Sequence, residues 1–142
     1  MSLSDLKTLA ENLRNYLLQY PDLSVKAKNF HLDGLLSEGE SMSLQITGGQ
    51  IIKQYIDGSK IVLMPFVIFY RGTINDSNDR KSAMMGELNG IGTWLSSQSL
   101  PNLGSSFEIR RLSQTQLANI ANQTEKDITY QAVFALEYIT KN

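Results

Sequence analysis

Apolar residues near the start of the chain recur at spacings of three and four. Leu6, Leu9, Ala10, Leu13, Tyr16, Leu17 and Tyr20 fall on one stripe, and Asp5, Lys7, Glu11, Asn12 and Arg14 lie mostly opposite. That period predicts an amphipathic helix over 3–19, with Ser2 or Ser4 as cap and Pro21 as its stop. Residues 21–40 are mixed: Val25 can begin a short strand, and Gly34 and Gly39 read as turns. From residue 41 the period becomes two. "SMSLQIT" sets Met42, Leu44 and Ile46 against polar neighbours, a strand with one wet face. "QIIKQYI" (50–56) predicts a second strand, with Gly48-Gly49 as the hairpin turn between them. Asp57-Gly58 is the strongest hairpin signal, because a type I′ turn needs positive φ at both central residues.

"KIVLMPFVIFYR" (60–71) then predicts a third strand. As a helix, Ile61–Tyr70 would cover about 15 Å of a bilayer core about 30 Å thick, so it does not span one. As a strand, its continuous apolarity asks for cover on both faces, by helices on one side and by a neighbouring subunit on the other. Pro65 has no N–H, so we expect a bend or bulge there, with 60–64 paired to 50–56 and Arg71 delivered to the rim.

A second helix is expected over about 78–97, capped by Asp76, Ser77, Asn78 or Asp79, with Met84, Leu88, Ile91 and Leu95 on its buried face. "SFEIRRLS" (106–113) predicts a fourth strand. "QTQLANIANQTEKD" reads as a long polar connection with room for one helical turn. "ITYQAVFALEYIT" (128–140) predicts the last strand, with an almost wholly apolar even face. Helix, three strands, helix, two strands describes a single α+β domain over 1–142: a mainly antiparallel or mixed sheet of four to five strands packed by two main helices.

Composition narrows the chemistry. Thirteen basic and fourteen acidic residues give a formal charge of −1, without a basic tail, so bulk electrostatics does not point to nucleic acid. There is no cysteine and one histidine, His31, which removes disulfides, thiolate zinc sites and cysteine nucleophiles and leaves little for an imidazole site. The N-terminal residues lack the pattern of a secretory signal, and no membrane association is expected. Asp76, Asn78 and Glu87 match three positions of a calcium loop, but Arg80 and Lys81 stand where an oxygen ligand and a glycine are needed, so helix capping accounts for them better. No carboxylate pair is singled out as acid and base, and no cofactor motif is present. The chain does not read as an enzyme; the competing class is a small α+β ligand-binding or enzymatic domain with its pocket between sheet and helices.

Candidate contact residues remain. Gly86, Gly90 and Trp94 lie four apart on helix 2, away from its core face. A groove admitting a neighbouring backbone, anchored by Trp94, would explain this row; the plainer account folds Trp94 back onto the domain's own rim. Arg110 and Arg111 are expected on opposite faces of a strand, either guarding a sheet edge or meeting an acidic subunit. Asp57-Gly58 at a hairpin tip, and the polar loop that includes Asp76 and Asp79, are further contact points, with Arg71 at the rim.

"YIDGS", "PFVIFYR", "LNGIGTWL" and "YQAVFALEY" occur in that order from residue 55 to residue 138. In that series the chain resembles the minor capsid or tail-terminator-like proteins of long-tailed bacteriophages and prophages of Gram-positive hosts. Where a glycine turn is expected before the last strand, this chain has "TEKDITY", with Lys126-Asp127 in its place. The resemblance implies a structural subunit of the virion, assembled in the host cytoplasm. It implies a ring, typically a hexamer, that caps the tail tube and docks head-completion proteins, without cofactor or metal.

Overall fold

The computed structural model describes residues 3–25, 29–32, 40–73 and 77–140. Helix α1 spans Leu3–Leu17 and α2 spans Asn78–Ser97. Among the described residues six strands form one sheet: β1 Phe30–Leu32, β2 Ser41–Ile46, β3 Gln50–Gln54, β4 Lys60–Thr73, β5 Phe107–Gln123 and β6 Asp127–Thr140. The order is β1-β2-β4-β6-β5, with β3 also on β4. The α+β class is as expected. The sheet is larger than four to five strands, and it is mixed because β1 joins β2 in parallel.

Both helices contribute to one core on one face of the sheet. Leu9, Leu13 and Leu17 of α1 and Met84, Leu88 and Ile91 of α2 are fully buried with the even positions of β4 and β6. Phe66 and Phe134, paired across the two strands, stack at 5.3 Å near its centre. The hydroxyl of Ser77 caps α2, accepting from Arg80 N at 3.1 Å, and Asp79 lies in the first turn, where a negative charge suits the helix dipole.

The sheet corrects four local expectations. First, Gly48-Gly49 is not a hairpin turn. β2 and β3 do not pair with each other; both run antiparallel to β4, along the same edge, as one strand broken at 47–49. Second, β4 does not bulge at Pro65: its register with β6 runs without a shift from Ile61↔Ile139 to Thr73↔Asp127. Pro65 lies opposite the break, where its carbonyl accepts from Thr47 N and Oγ1, both at 3.0 Å. A strand residue directs N–H and C=O to the same side, so the donor that proline lacks falls in the gap between β2 and β3.

Third, the Asp57-Gly58 turn is not a two-residue I′ turn. Gly58 N donates to Tyr55 O, Tyr55 N donates to Ser59 O, and Gly58 takes φ +92°. This is a turn closed by a glycine bulge, with Ile56 and Asp57 as its central residues. Fourth, residues 114–123 continue β5 rather than forming a connection. β5 changes register against β6 at four places. Each bulge shifts the phase of alternation, which hid the strand in the sequence.

Candidate assembly surface

The odd positions of β4 and β6 point away from the helices. Leu63, Pro65, Val67 and Phe69 form a row on β4, beside Val133 and Ala135 on β6. The β4 members of this row are only half-buried, unlike their fully buried even-numbered neighbours. Around the row lie uncharged groups: Ser43 and Gln45 on β2, Gln131 on β6, and Ser113, Gln116 and Asn119 on β5. Among the described residues charge lies at the two ends, where Asp127 and Glu108 also belong to this face. Arg71 stands opposite Thr129 at one, and Arg111 opposite Glu137 at the other. An apolar centre, an uncharged polar rim and charge kept outside is the arrangement of protein interfaces.

The β3–β4 hairpin continues from this surface. Ile51 and Ile52 are about half exposed, Tyr55 is 39% exposed and Ile56 is fully exposed at the tip. Asp57 beside it accepts from Ser59 N at 2.9 Å and Ser59 Oγ at 2.6 Å. These bonds hold its carboxyl below the ordinary aspartate range, so the tip carries a negative charge. Among the described residues β3 is paired on one edge only. On the opposite edge of the sheet, β5 exposes Leu117 and Ile120.

The structure separates the residues selected from sequence. Asp57, Gly58 and Arg71 belong to the hairpin tip and the helix-free face. Arg110 and Arg111 lie on edge strand β5, as charge guarding an edge predicts. They do not take opposite faces: the register shift between Ile109 and Arg111 leaves Arg110 unpaired, and both side chains are exposed. Arg110 Nε approaches Glu137 at 3.9 Å. Asp79 is exposed at the start of α2, and Asp76 lies outside the described residues.

The proposed groove on α2 is filled from within the chain. Trp94 packs against Tyr16 and Tyr20 of the α1 end, with centroids 5.3 and 5.6 Å apart. A Cβ on Gly90 would meet Tyr20 Oη at 2.3 Å, so this glycine admits a tyrosine rather than a neighbouring backbone. Trp94 therefore clamps α1 to α2, the plainer of the two expectations. Gly86 alone opens to solvent, with nothing within 4 Å of an added Cβ.

Sequence reasoning missed two polar arrangements. Ser24 Oγ donates to Glu87 Oε2 at 3.1 Å and lies 2.6 Å from Tyr70 Oη, which also accepts from Arg80 Nη2 at 3.0 Å. Arg80 pairs in turn with Glu40. Burial raises the Glu87 carboxyl above its ordinary value, against the opposing pull of the Ser24 bonds and Arg80. This chain of contacts ties strand entry, α2 and the post-α1 turn together. The other arrangement is a shallow cleft of about 590 Å³ between α1 and residues 101–105, lined by Asn12, Asn15, Tyr16, Gln19 and Asn102. Among the described residues no three His, Cys, Asp or Glu side chains cluster as metal ligands, and no helix is long and apolar enough to cross a membrane.

Compared with known protein families and curated proteins, the chain matches no family model and no curated relative.

Proposed function

We propose that this protein is a structural assembly subunit of a phage or prophage virion. In this reading it is a tail-terminator-like or minor capsid protein at the head–tail junction. Its work is steric: it joins copies of itself into a ring, typically a hexamer, that caps the tail tube and offers a docking surface to head-completion proteins. The observation that carries this reading is the helix-free face of the sheet. Its row of Leu63, Pro65, Val67 and Phe69, rimmed by amides and hydroxyls, is built as an interface core and continues into a hairpin with exposed Ile51, Ile52 and Ile56. Contacts between unlike patches on successive copies close into a ring when their rotation closes. The resemblance of "YIDGS", "PFVIFYR", "LNGIGTWL" and "YQAVFALEY" to that family supplies the biological setting.

The test is negative-stain microscopy with light scattering on the purified protein across a concentration series, alone and with tail tubes. Closed rings with a central hole, or caps at one end of the tubes, are the expected result. A strict monomer that leaves tube ends bare, and instead binds a small molecule in the Asn12–Asn102 cleft, would overturn the assembly reading in favour of a ligand-binding domain.

A further inference from the structure

Resting on the assembly reading, we propose that the β3–β4 hairpin of one copy lies across the helix-free sheet face of the next, with Asp57 paired to Arg71. The occupant is thus a second copy of this chain, engaged head to tail.

Three observations converge on this arrangement. The first is charge. The rim of the face carries Arg71 near Asp127 at one end, and Arg110 and Arg111 with Glu137 and Glu108 at the other. Arg71 makes no ion pair among the described residues, and its Nε is buried without a hydrogen-bond partner. A half-buried guanidinium without a counter-ion is costly, and an incoming carboxylate relieves it. The hairpin tip offers one in Asp57, kept ionised by Ser59. The one lysine inside β3, Lys53, is turned over the Tyr55 ring with its Nζ 5.0 Å from the centroid.

The second observation is length. From Gln50 to Asp57 the ribbon runs about 24 Å at about 3.4 Å per residue, and from Thr129 to Glu137 the face runs about 27 Å. A hairpin laid along the face therefore covers most, not all, of the distance between its charged ends. The third is apolar matching. Ile51 stands opposite Val62, on the helix side of the sheet, yet is 54% exposed, and Ile56 is fully exposed beside the one charge of the turn. Nothing in the described chain covers either, whereas the row from Leu63 to Phe69 is apolar and open. Hairpin and face are different patches of one molecule, so the contact is heterologous and propagates from copy to copy.

The cysteine-free sequence makes the contact directly testable. One preparation carries Ile56→Cys at the tip, a second carries Thr129→Cys opposite Arg71, and a control carries Ser82→Cys on the exposed side of α2. Each is purified in reducing buffer, mixed pairwise and oxidised, and disulfide-linked dimers are read on non-reducing gels. Ile56→Cys with Thr129→Cys is expected to link at least fivefold more than Ile56→Cys with the Ser82→Cys control. Adding Asp57→Arg to the tip chain is expected to abolish that excess, and adding Arg71→Asp to the face chain as well is expected to restore it. Equal yields with face and control, or an excess that Asp57→Arg leaves unchanged, overturn the proposal. Wild-type rings without the specific link would refute the hairpin contact and leave the assembly reading standing. The specific link with no rings and no tube caps would do the reverse.

Discussion

Three glycines on α2 face different neighbours, so the same substitution should change stability with a different sign at each. Gly86 opens to solvent, Gly90 meets the far end of Tyr20, and an added Cβ on Gly92 would lie 2.0 Å from Gln114 Oε1, 2.8 Å from its Cδ and 2.9 Å from its Cβ. Alanine in a helix interior gains about 0.8–1 kcal/mol over glycine where space allows. Gly86→Ala should keep that gain. Gly90→Ala displaces a phenol that can swing aside, and should fall near zero. Gly92→Ala cannot be relieved by rotating Gln114, because Cβ is fixed to strand β5. Overpacking costs about 1–3 kcal/mol. A displaced Gln114 also loses its 3.0 Å bond to Asn89 Oδ1, worth about 0.5–1.5 kcal/mol. After subtracting the propensity gain, Gly92→Ala should destabilise by about 1–3 kcal/mol. Urea unfolding followed by circular dichroism reads this directly. With a slope of about 2 kcal/mol per molar, the midpoint should fall by about 0.5–1.5 M for Gly92→Ala and rise by about 0.4 M for Gly86→Ala. A Gly92→Ala variant as stable as the parent would mean that α2 is not seated on Gln114, and the packing of helix on sheet described above would be wrong.

Other perturbations probe the core and its titrating groups. Phe134→Ala removes a fully buried ring stacked on Phe66 and should cost about 3–5 kcal/mol by urea unfolding, with an unchanged slope. Burial pushes the Tyr138 phenol up to about 12, so its contribution to stability is intact below the ordinary value of 10.0 and is lost as pH rises toward 12; unfolding at constant temperature should set in over that window, with tyrosinate absorbance appearing together with loss of structure. The raised Glu87 carboxyl likewise contributes stability below its ordinary value of 4.5 that is lost as pH climbs through its folded value. Glu87→Gln keeps an acceptor for Ser24 and removes the desolvated charge, so thermal melts should show a flatter pH dependence above 4.5 and no loss of stability at neutral pH.

Much of this fold could be read from the chain because its periods are clean. Leu9, Ala10, Leu13 and Leu17 of the α1 stripe, the Met84-Leu88-Ile91-Leu95 face of α2 and the even positions of β6 from Ile128 to Tyr138 are buried as their spacing predicts. Legibility fails where something other than period decides. β5 escaped beyond Ser113 because its bulges break alternation and because Asn89, on another element, satisfies it: Asn89 Oδ1 accepts from Ala118 N and Gln114 Nε2. Trp94 looked like an anchor for a partner because the sequence does not show that the tyrosines ending α1 reach it. Of the candidate surface, the hairpin tip and Arg71 were visible in advance. The row they bound was visible only as a question about where the second face of β4 goes. The amide and hydroxyl rim comes from three strands whose registers no local pattern reveals.

Pro65 connects these local facts to the proposed role. A fully paired strand edge from residue 41 to 54 would need a donor at position 65, and proline has none. The edge is therefore interrupted at 47–49, and the interruption divides one long ribbon into two parts with different neighbours. The part at 41–46 is joined by β1 and is mostly buried, while the part at 50–54 has no outer strand among the described residues and is exposed throughout. The fault in pairing thus falls where a covered strand gives way to an exposed outer strand, and β4 and β6 run unbroken beside both parts. Leaving exposed isoleucines in water forgoes about 1.5–3 kcal/mol for each that could be fully buried, and the proposed contact would recover part of it. On the proposed role, the interrupted edge is the device that turns part of a core sheet into a contact.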